Sequence, residues 1–208
     1  MAKLTESTSK PKQRSRHRIL EAALVAFETV GYQAATIDDI AEAAGLSRRT
    51  VYHHFKTKSD ILRAASIEQA SLFLQQMKAA VPPGEDFPGF YIDCLCYVIE
   101  QAPDSRFFML QASAGLALDS ALVYFTDPQL YDDWLQFFEP AFNTAQAQQN
   151  LNPDIKLVPL LNWFGRIATS YFQFRSEADT PEAIRTYLLT FVEPALRANT
   201  LAPPNASV

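Results

Sequence analysis

Between Thr36 and Asp60 the sequence starts three helices in quick succession, and nothing else in the chain limits its fold so tightly. Thr36-Ile37-Asp38-Asp39 places a hydroxyl at an N-cap and a carboxylate three residues on. Ser47 offers the next cap, and Thr57-Lys58-Ser59-Asp60 repeats the hydroxyl-plus-acid pattern. Each cap satisfies an N–H that a helix start leaves without a partner. The helices predicted from them run over about 37–44, 48–54 and 58–80. Ala44-Gly45-Leu46-Ser47 joins the first two with a glycine, as a helix-turn-helix requires.

The rest of the chain also reads as helical. Ile19, Leu20, Ala23, Leu24 and Phe27 recur at spacings of three and four, and Gly31 follows as a helix end. Val81-Pro82-Pro83-Gly84-Glu85-Asp86 ends the long fourth helix. Asp127-Pro128 and Thr180-Pro181 pair a cap with proline at the first helical position. Asp104 is the expected cap of a helix over about 105–118, and Pro140 and Pro194 are expected to kink or end theirs. Period-two alternation does not develop, so an all-α fold of about nine helices is expected. Its predicted parts are a disordered basic tail over 1–13, a helix-turn-helix domain over 14–62, a helical ligand-binding and dimerisation domain over 63–198, and a disordered tail over 199–208. The long fourth helix joins the two domains.

Charge is segregated along the chain. The net charge is −5, yet residues 1–60 hold 10 Lys and Arg against 7 Asp and Glu, and residues 61–208 hold 8 against 16. A basic head on an acidic body attracts phosphate at one end only. The second helix of the predicted motif begins Arg48-Arg49-Thr50, and arginine is the commonest reader of guanine in the major groove. Val51 and Phe55, four apart, are expected to face Ile37, Ile40 and Leu46. The Tyr52 hydroxyl and the Lys58 charge are placed to meet phosphate. The basic run Lys10-Pro11-Lys12-Gln13-Arg14-Ser15-Arg16 either serves solubility or reaches along a groove.

Several chemistries are excluded. His53 and His54 are adjacent on a helix and point about 100° apart, and Cys94 and Cys96 at i, i+2 face nearly opposite ways. Neither pair suits a metal ion. The two cysteines read as buried free thiols. There is no Ser/His/Asp set, P-loop or Gly-rich nucleotide turn, so neither an enzyme nor a cofactor is expected. The first residues form no apolar targeting run, and no apolar stretch is long enough for a membrane span, which makes a cytoplasmic location the default expectation.

The run from Gly31-Tyr32 through Thr36, Ile40-Ala41, Ala44-Gly45-Leu46-Ser47 and Tyr52-His53-His54-Phe55-Lys56-Thr57-Lys58 resembles the N-terminal domain of TetR-type transcriptional regulators. The resemblance covers about residues 14–62 and departs from the pattern at Arg49, where many relatives carry glycine. It implies a homodimer on a palindromic operator of double-stranded DNA, released by a small molecule. By position, Arg48, Arg49 and Thr50 would read bases, and Thr36, Tyr52, His53 and Lys58 would meet phosphates. A repressor is the expected function. An activator, or a regulator controlled by a partner without a small-molecule effector, is the alternative.

Aromatic residues concentrate in the second half, with 18 of the 25 between Phe87 and Phe174. The load favours an apolar cavity, as does the resemblance, because TetR-type proteins hold their effector between such helices. The expected lining is Phe90, Cys94, Tyr97, Phe107, Leu110, Gln111, Tyr131, Trp134, Phe138, Trp163 and Arg166. The effector would be small and hydrophobic or aromatic, with a lipid-like or acyl-thioester molecule as one form. Each stripe also reads as plain core packing. Dimerisation is expected through helices over about 156–175 and 181–198, using Gly165, Thr169, Ile184, Tyr187, Leu188 and Phe191.

Overall fold

The computed structural model describes residues 9–115 and 127–198. The expected tail over 199–208, and residues 1–8 of the N-terminal one, lie outside the described residues. Helices run in the order α1 (Ser9–Ala34), α2 (Ile37–Ala43), α3 (Arg48–His54), α4 (Lys58–Ala80), α5 (Phe87–Gln101), α6 (Arg106–Ser113), α7 (Pro128–Ala147), α8 (Leu157–Phe174), α9 (Pro181–Phe191) and the single turn α10 (Glu193–Leu196). The fold is all-α, with one isolated bridge between Leu151 and Arg197. Residues 9–13, expected in a disordered tail, are the first turns of α1.

The caps do what the sequence asks of them. Thr36 Oγ1 accepts from the Asp39 N–H at 3.2 Å, while the Thr36 N–H donates to Asp39 Oδ2 at 3.0 Å. Ser47 Oγ accepts from the Thr50 N–H, and Thr57 and Asp60 repeat the reciprocal pair. Asp127 and Thr180 cap α7 and α9 ahead of their prolines. Ser105, one residue beyond the expected Asp104, caps α6. α7 continues through Pro140 to Ala147, whereas Pro194 lies in the turn that follows the end of α9.

The described residues form two compact units. The head unit comprises those up to Leu72 together with those from Asp104 onward in the α6 segment. The second unit comprises Phe73–Pro103 and the described residues from 127 on. This division differs from the linear one expected at residue 62. The reason is packing: Leu110 of α6 is buried in the head core, and Arg106 donates to both Glu28 carboxylate oxygens of α1, at 2.6 and 3.2 Å.

The head core gathers Ile19, Leu20, Leu24 and Phe27 of α1, Ile40 of α2, Val51 and Phe55 at α3, and Ile61 and Leu62 of α4. The second core is aromatic. Phe87, Phe90 and Tyr91 of α5, Trp134 and Phe138 of α7 and Phe164 of α8 pack in it with ring centroids 5.2–6.3 Å apart. The buried Tyr91 hydroxyl donates to the Leu160 carbonyl at 3.0 Å, so the one polar atom of that ring is satisfied.

Candidate nucleic-acid interface

α3 is a seven-residue helix whose inner face is fixed by Val51, fully buried, and by Phe55 just beyond it. That leaves Arg48, Arg49, Tyr52 and His53 exposed on one short element. Gly45 sets its angle to α2. Its φ of +60° is left-handed, which glycine adopts at no steric cost. Arg18 of α1 donates to the Ala44 and Gly45 carbonyls of this turn. A Cβ at Gly45 would stand 2.8 Å from Arg18 Nη2, so the guanidinium occupies the space a side chain would need.

The expected DNA contacts fall into three groups. Arg49 is exposed and has no ion-pair or hydrogen-bond partner among the described residues. Arg48 is exposed too, but its Nε lies 3.0 Å from Asp38 Oδ1 and its guanidinium sits over the Tyr52 ring at 5.7 Å. An exposed pair of this kind contributes little to stability, and it holds the side chain in one place. Thr50 and Thr36 are engaged in caps: Thr50 Oγ1 is 2.8 Å from Ser47 Oγ, and Thr36 Oγ1 donates to Asp39 Oδ2 at 2.7 Å. The Thr36 hydroxyl, then the Thr36 backbone N–H, holds the Asp39 carboxyl below its usual range.

Lys58 is the correction. Its ammonium donates to the carbonyls of Tyr32, Gln33 and Ala35, at 2.6, 3.1 and 2.8 Å, and lies 4.6 Å from the Tyr32 ring centroid. All three of its protons are spent inside the head unit. The physical reason is the break at Gly31, with φ 81° and ψ 156°, which leaves the carbonyls of the short turn behind it without helical donors. Sequence reasoning placed this lysine against an anion and passed over Arg18, because neither set of carbonyls is visible from spacing.

Lys12 and Arg16 were read only as part of a basic run. The structure brings both beside α3. The guanidinium carbon of Arg16 lies 5.6 Å from the centroid of the Phe55 ring. The His54 imidazole is held below its usual pKa, first by partial burial and then by His53, Lys12 and Arg16.

The residues expected to line a ligand pocket separate. Phe90, Cys94, Trp134 and Phe138 are buried against one another in the second core, and Tyr97 packs on Phe73 with ring centroids 5.8 Å apart. Tyr131 is half-buried, while Arg166 is exposed. Phe107, Leu110 and Gln111 are buried on α6, in the head unit. A cavity of about 590 Å³ lies between α8 and α9, lined by Trp163, Tyr171, Phe174, Tyr187 and Phe191 among others. Only Trp163 of the expected lining borders it. Burial pushes both thiols up, Cys96 to about 11 and Cys94 further, which keeps them as inert thiols.

The expected dimer residues divide as well. Ile184 and Leu188 are fully buried in the chain's own core, and Gly165 is buried on α8. They are not free to meet a second copy. The apolar stripe of α9 is broad enough to turn one edge inward and leave the other outside, where Tyr187 is 53% and Phe191 62% exposed. Thr169 is half-buried.

A short capped helix presenting two adjacent arginines, held to its partner helix by a glycine turn, defines a helix-turn-helix DNA-binding protein. Residues 19–65 match the family described as bacterial regulatory proteins, tetR family. The matched residues are the helix-turn-helix head, and the chain is a DNA-binding transcriptional regulator, a class without enzymatic activity. It is 26% identical over 191 residues to the HTH-type transcriptional regulator SrpR of Pseudomonas putida, covering 90% of this chain and 88% of that one. It is 21% identical over 159 residues to the negative transcriptional regulator IcaR of the Staphylococcus epidermidis biofilm operon, covering 74% and 84%. In fold it is similar to a putative TetR-family regulator from Mesorhizobium loti, with a TM-score of 0.58 and 17% identity over 86% of this chain and 97% of the other. Among the described residues no helix is long and apolar enough to cross a membrane.

Proposed function

We propose that the chain is a homodimeric repressor that binds a palindromic operator and is released from it by a small, largely apolar effector. The observation that carries the DNA reading is the first turn of α3, where Arg49 stands exposed beside an Arg48 already aimed by Asp38. Arg49 is the base reader of first importance, and Arg48 reads or meets phosphate once Asp38 gives it up. His53 and Tyr52 meet the backbone from the same helix. Thr36 serves as cap first. The similarity to IcaR, a negative regulator, supports repression.

Two features support the rest. The outer edge of α8 and α9 carries Phe174, Tyr187 and Phe191, which a second copy would cover. The cavity beside them has the volume of a drug-sized ligand site, and a second copy would close its open side. Among the described residues the chain passes between the units within α4 and again before α6. An effector that fits one arrangement of the second unit would act on the head through these connections. It would thereby change the spacing of two heads that must match half-sites about 34–36 Å apart or a multiple of it.

The test is footprinting of the purified chain on genomic fragments selected for binding, beside Arg49→Ala, at two salt concentrations. A protected palindrome that weakens with salt is expected, discriminated less sharply by the variant. No protection at low salt would defeat the DNA reading. Effector candidates are then screened by quenching of tryptophan fluorescence, since Trp163 borders the cavity. A ligand that quenches but leaves operator affinity unchanged would sink the release mechanism.

A further inference from the structure

The face of α1 that is buried in the head core continues, exposed, toward the N-terminus. Leu20 and Leu24, four apart, are buried, and two further steps of four toward the N-terminus reach Arg16 and Lys12. All four residues share one helix face. That face meets the end of α3. The Arg16 guanidinium carbon is 5.6 Å from the centroid of the Phe55 ring, which stands 6.3 Å from the His54 ring, itself 5.8 Å from that of His53. Two helices thus bring four basic side chains to one place. Lys12, Arg16 and His53 are exposed, and His54 is half-buried.

Among the described residues no Asp or Glu oxygen lies within 4.0 Å of any of the four, whereas Arg48, Arg106, Arg185 and Arg197 each pair with an acid. Lys12 and Arg16 also repel each other at i, i+4. The C-terminal carbonyls of α3 offset part of this, as a helix end attracts cations. The remainder is positive charge held on two helices with no acidic partner among the described residues. It sits at the opposite end of α3 from Arg48 and Arg49. A recognition helix that puts its first turn on the base edges leaves its far end near the sugar-phosphate wall of the groove.

We propose that Lys12, Arg16, His53 and His54 form a binding site for a backbone phosphate of the DNA that α3 reads. The site rests on the reading of α3 as the recognition helix. It adds a sequence-independent grip and couples docking to proton uptake. His54 faces Lys12 and Arg16 from α1 and His53 from its own helix, with no acid among its influences. Bringing phosphate against this field favours the imidazolium, so affinity rises as pH falls through the range around 6.5.

The experiment measures fluorescence anisotropy of the full chain on the footprinted operator duplex and on an unrelated duplex of equal length. It compares wild type with Arg16→Gln, Arg16→Lys and His54→Gln. Arg16→Gln should weaken both duplexes by the same factor, roughly 3- to 10-fold, and make the log–log salt slope shallower by about 0.9. Arg16→Lys should restore the slope, which a merely structural arginine would not require. The wild type should bind more tightly at pH 6 than at pH 7.5, and His54→Gln should remove most of that gain. An unchanged salt slope for Arg16→Gln overturns the site while leaving the recognition helix standing. A gain at low pH that survives His54→Gln overturns the proton coupling. A wild-type chain that binds neither duplex at low salt overturns both the site and the reading beneath it.

Discussion

Arg48 and Arg49 stand side by side on α3 and carry different loads. Arg48 is tethered by Asp38 and Tyr52, while Arg49 has no partner among the described residues. Replacing Arg49 with alanine should therefore leave melting unchanged within about 0.5 kcal/mol. It should cost about 1–3 kcal/mol of discrimination at one base position, measured by competition between operator variants. The Thr36 and Asp39 pair gives a pH signature of the opposite kind. Thr36 holds the Asp39 carboxyl low, so the pair's contribution is complete above the ordinary value near 3.9. It is lost as pH falls through the lower folded value. Asp39→Asn should flatten that acid limb in a thermal melt series, and an unchanged limb would show that the cap bond is not formed in solution. His54 has the reverse sign of effect on the free chain. A histidine with a depressed folded pKa takes stability away as pH falls below about 6.5, where the unfolded chain binds the proton more readily.

Among the elements, the junction of α1 with α4 is the most constrained. Gly31 has φ 81° and ψ 156°, a conformation in which residues with a Cβ are strained, although nothing lies within 4 Å of where a Cβ would be. Gly31→Ala isolates that conformational cost. A loss of about 1–3 kcal/mol is expected in denaturant unfolding, and an unchanged midpoint would mean that the break relaxes at no cost. Lys58 then ties the turn after Gly31 to the start of α4. Lys58→Ala should lower stability by roughly 1–3 kcal/mol, as expected for hydrogen bonds from a charged donor. It should weaken operator binding at every salt concentration without changing the salt slope. A shallower slope would return Lys58 to the set of phosphate contacts. α6 belongs to the same junction. Its Arg106 grips Glu28, so a segment far along the chain braces the helix that carries Arg16 and Arg18.

For the whole molecule, the outer edge of α8 and α9 separates assembly from folding. Phe191 is 62% exposed and Leu188 is fully buried, three residues apart on one helix. Phe191→Glu should give a folded monomer by sedimentation with unchanged helical circular dichroism and a lower operator affinity. Leu188→Glu should not fold, because an unpaired charge in the second core costs several kcal/mol. A Phe191→Glu chain that remains dimeric would place the interface elsewhere.

The first sixty residues were legible because their signals are local. A cap, an acid three residues on and a glycine turn act within one helical turn, so Thr36, Ser47 and Thr57 set the bounds of α2, α3 and α4 with little help from tertiary packing. The second half was legible only as helices. Its stripes of Phe, Tyr and Trp show which face is apolar but not what that face meets. Only packing decided that Phe90, Trp134 and Phe138 fill one another's space while a cavity opens beside Trp163. The same holds for Arg18, Lys58 and α6. Each works across a separation of 23 or more positions along the chain, Lys58 to Ala35 being the shortest reach, and charge alone does not distinguish a cation spent on carbonyls from one left for phosphate.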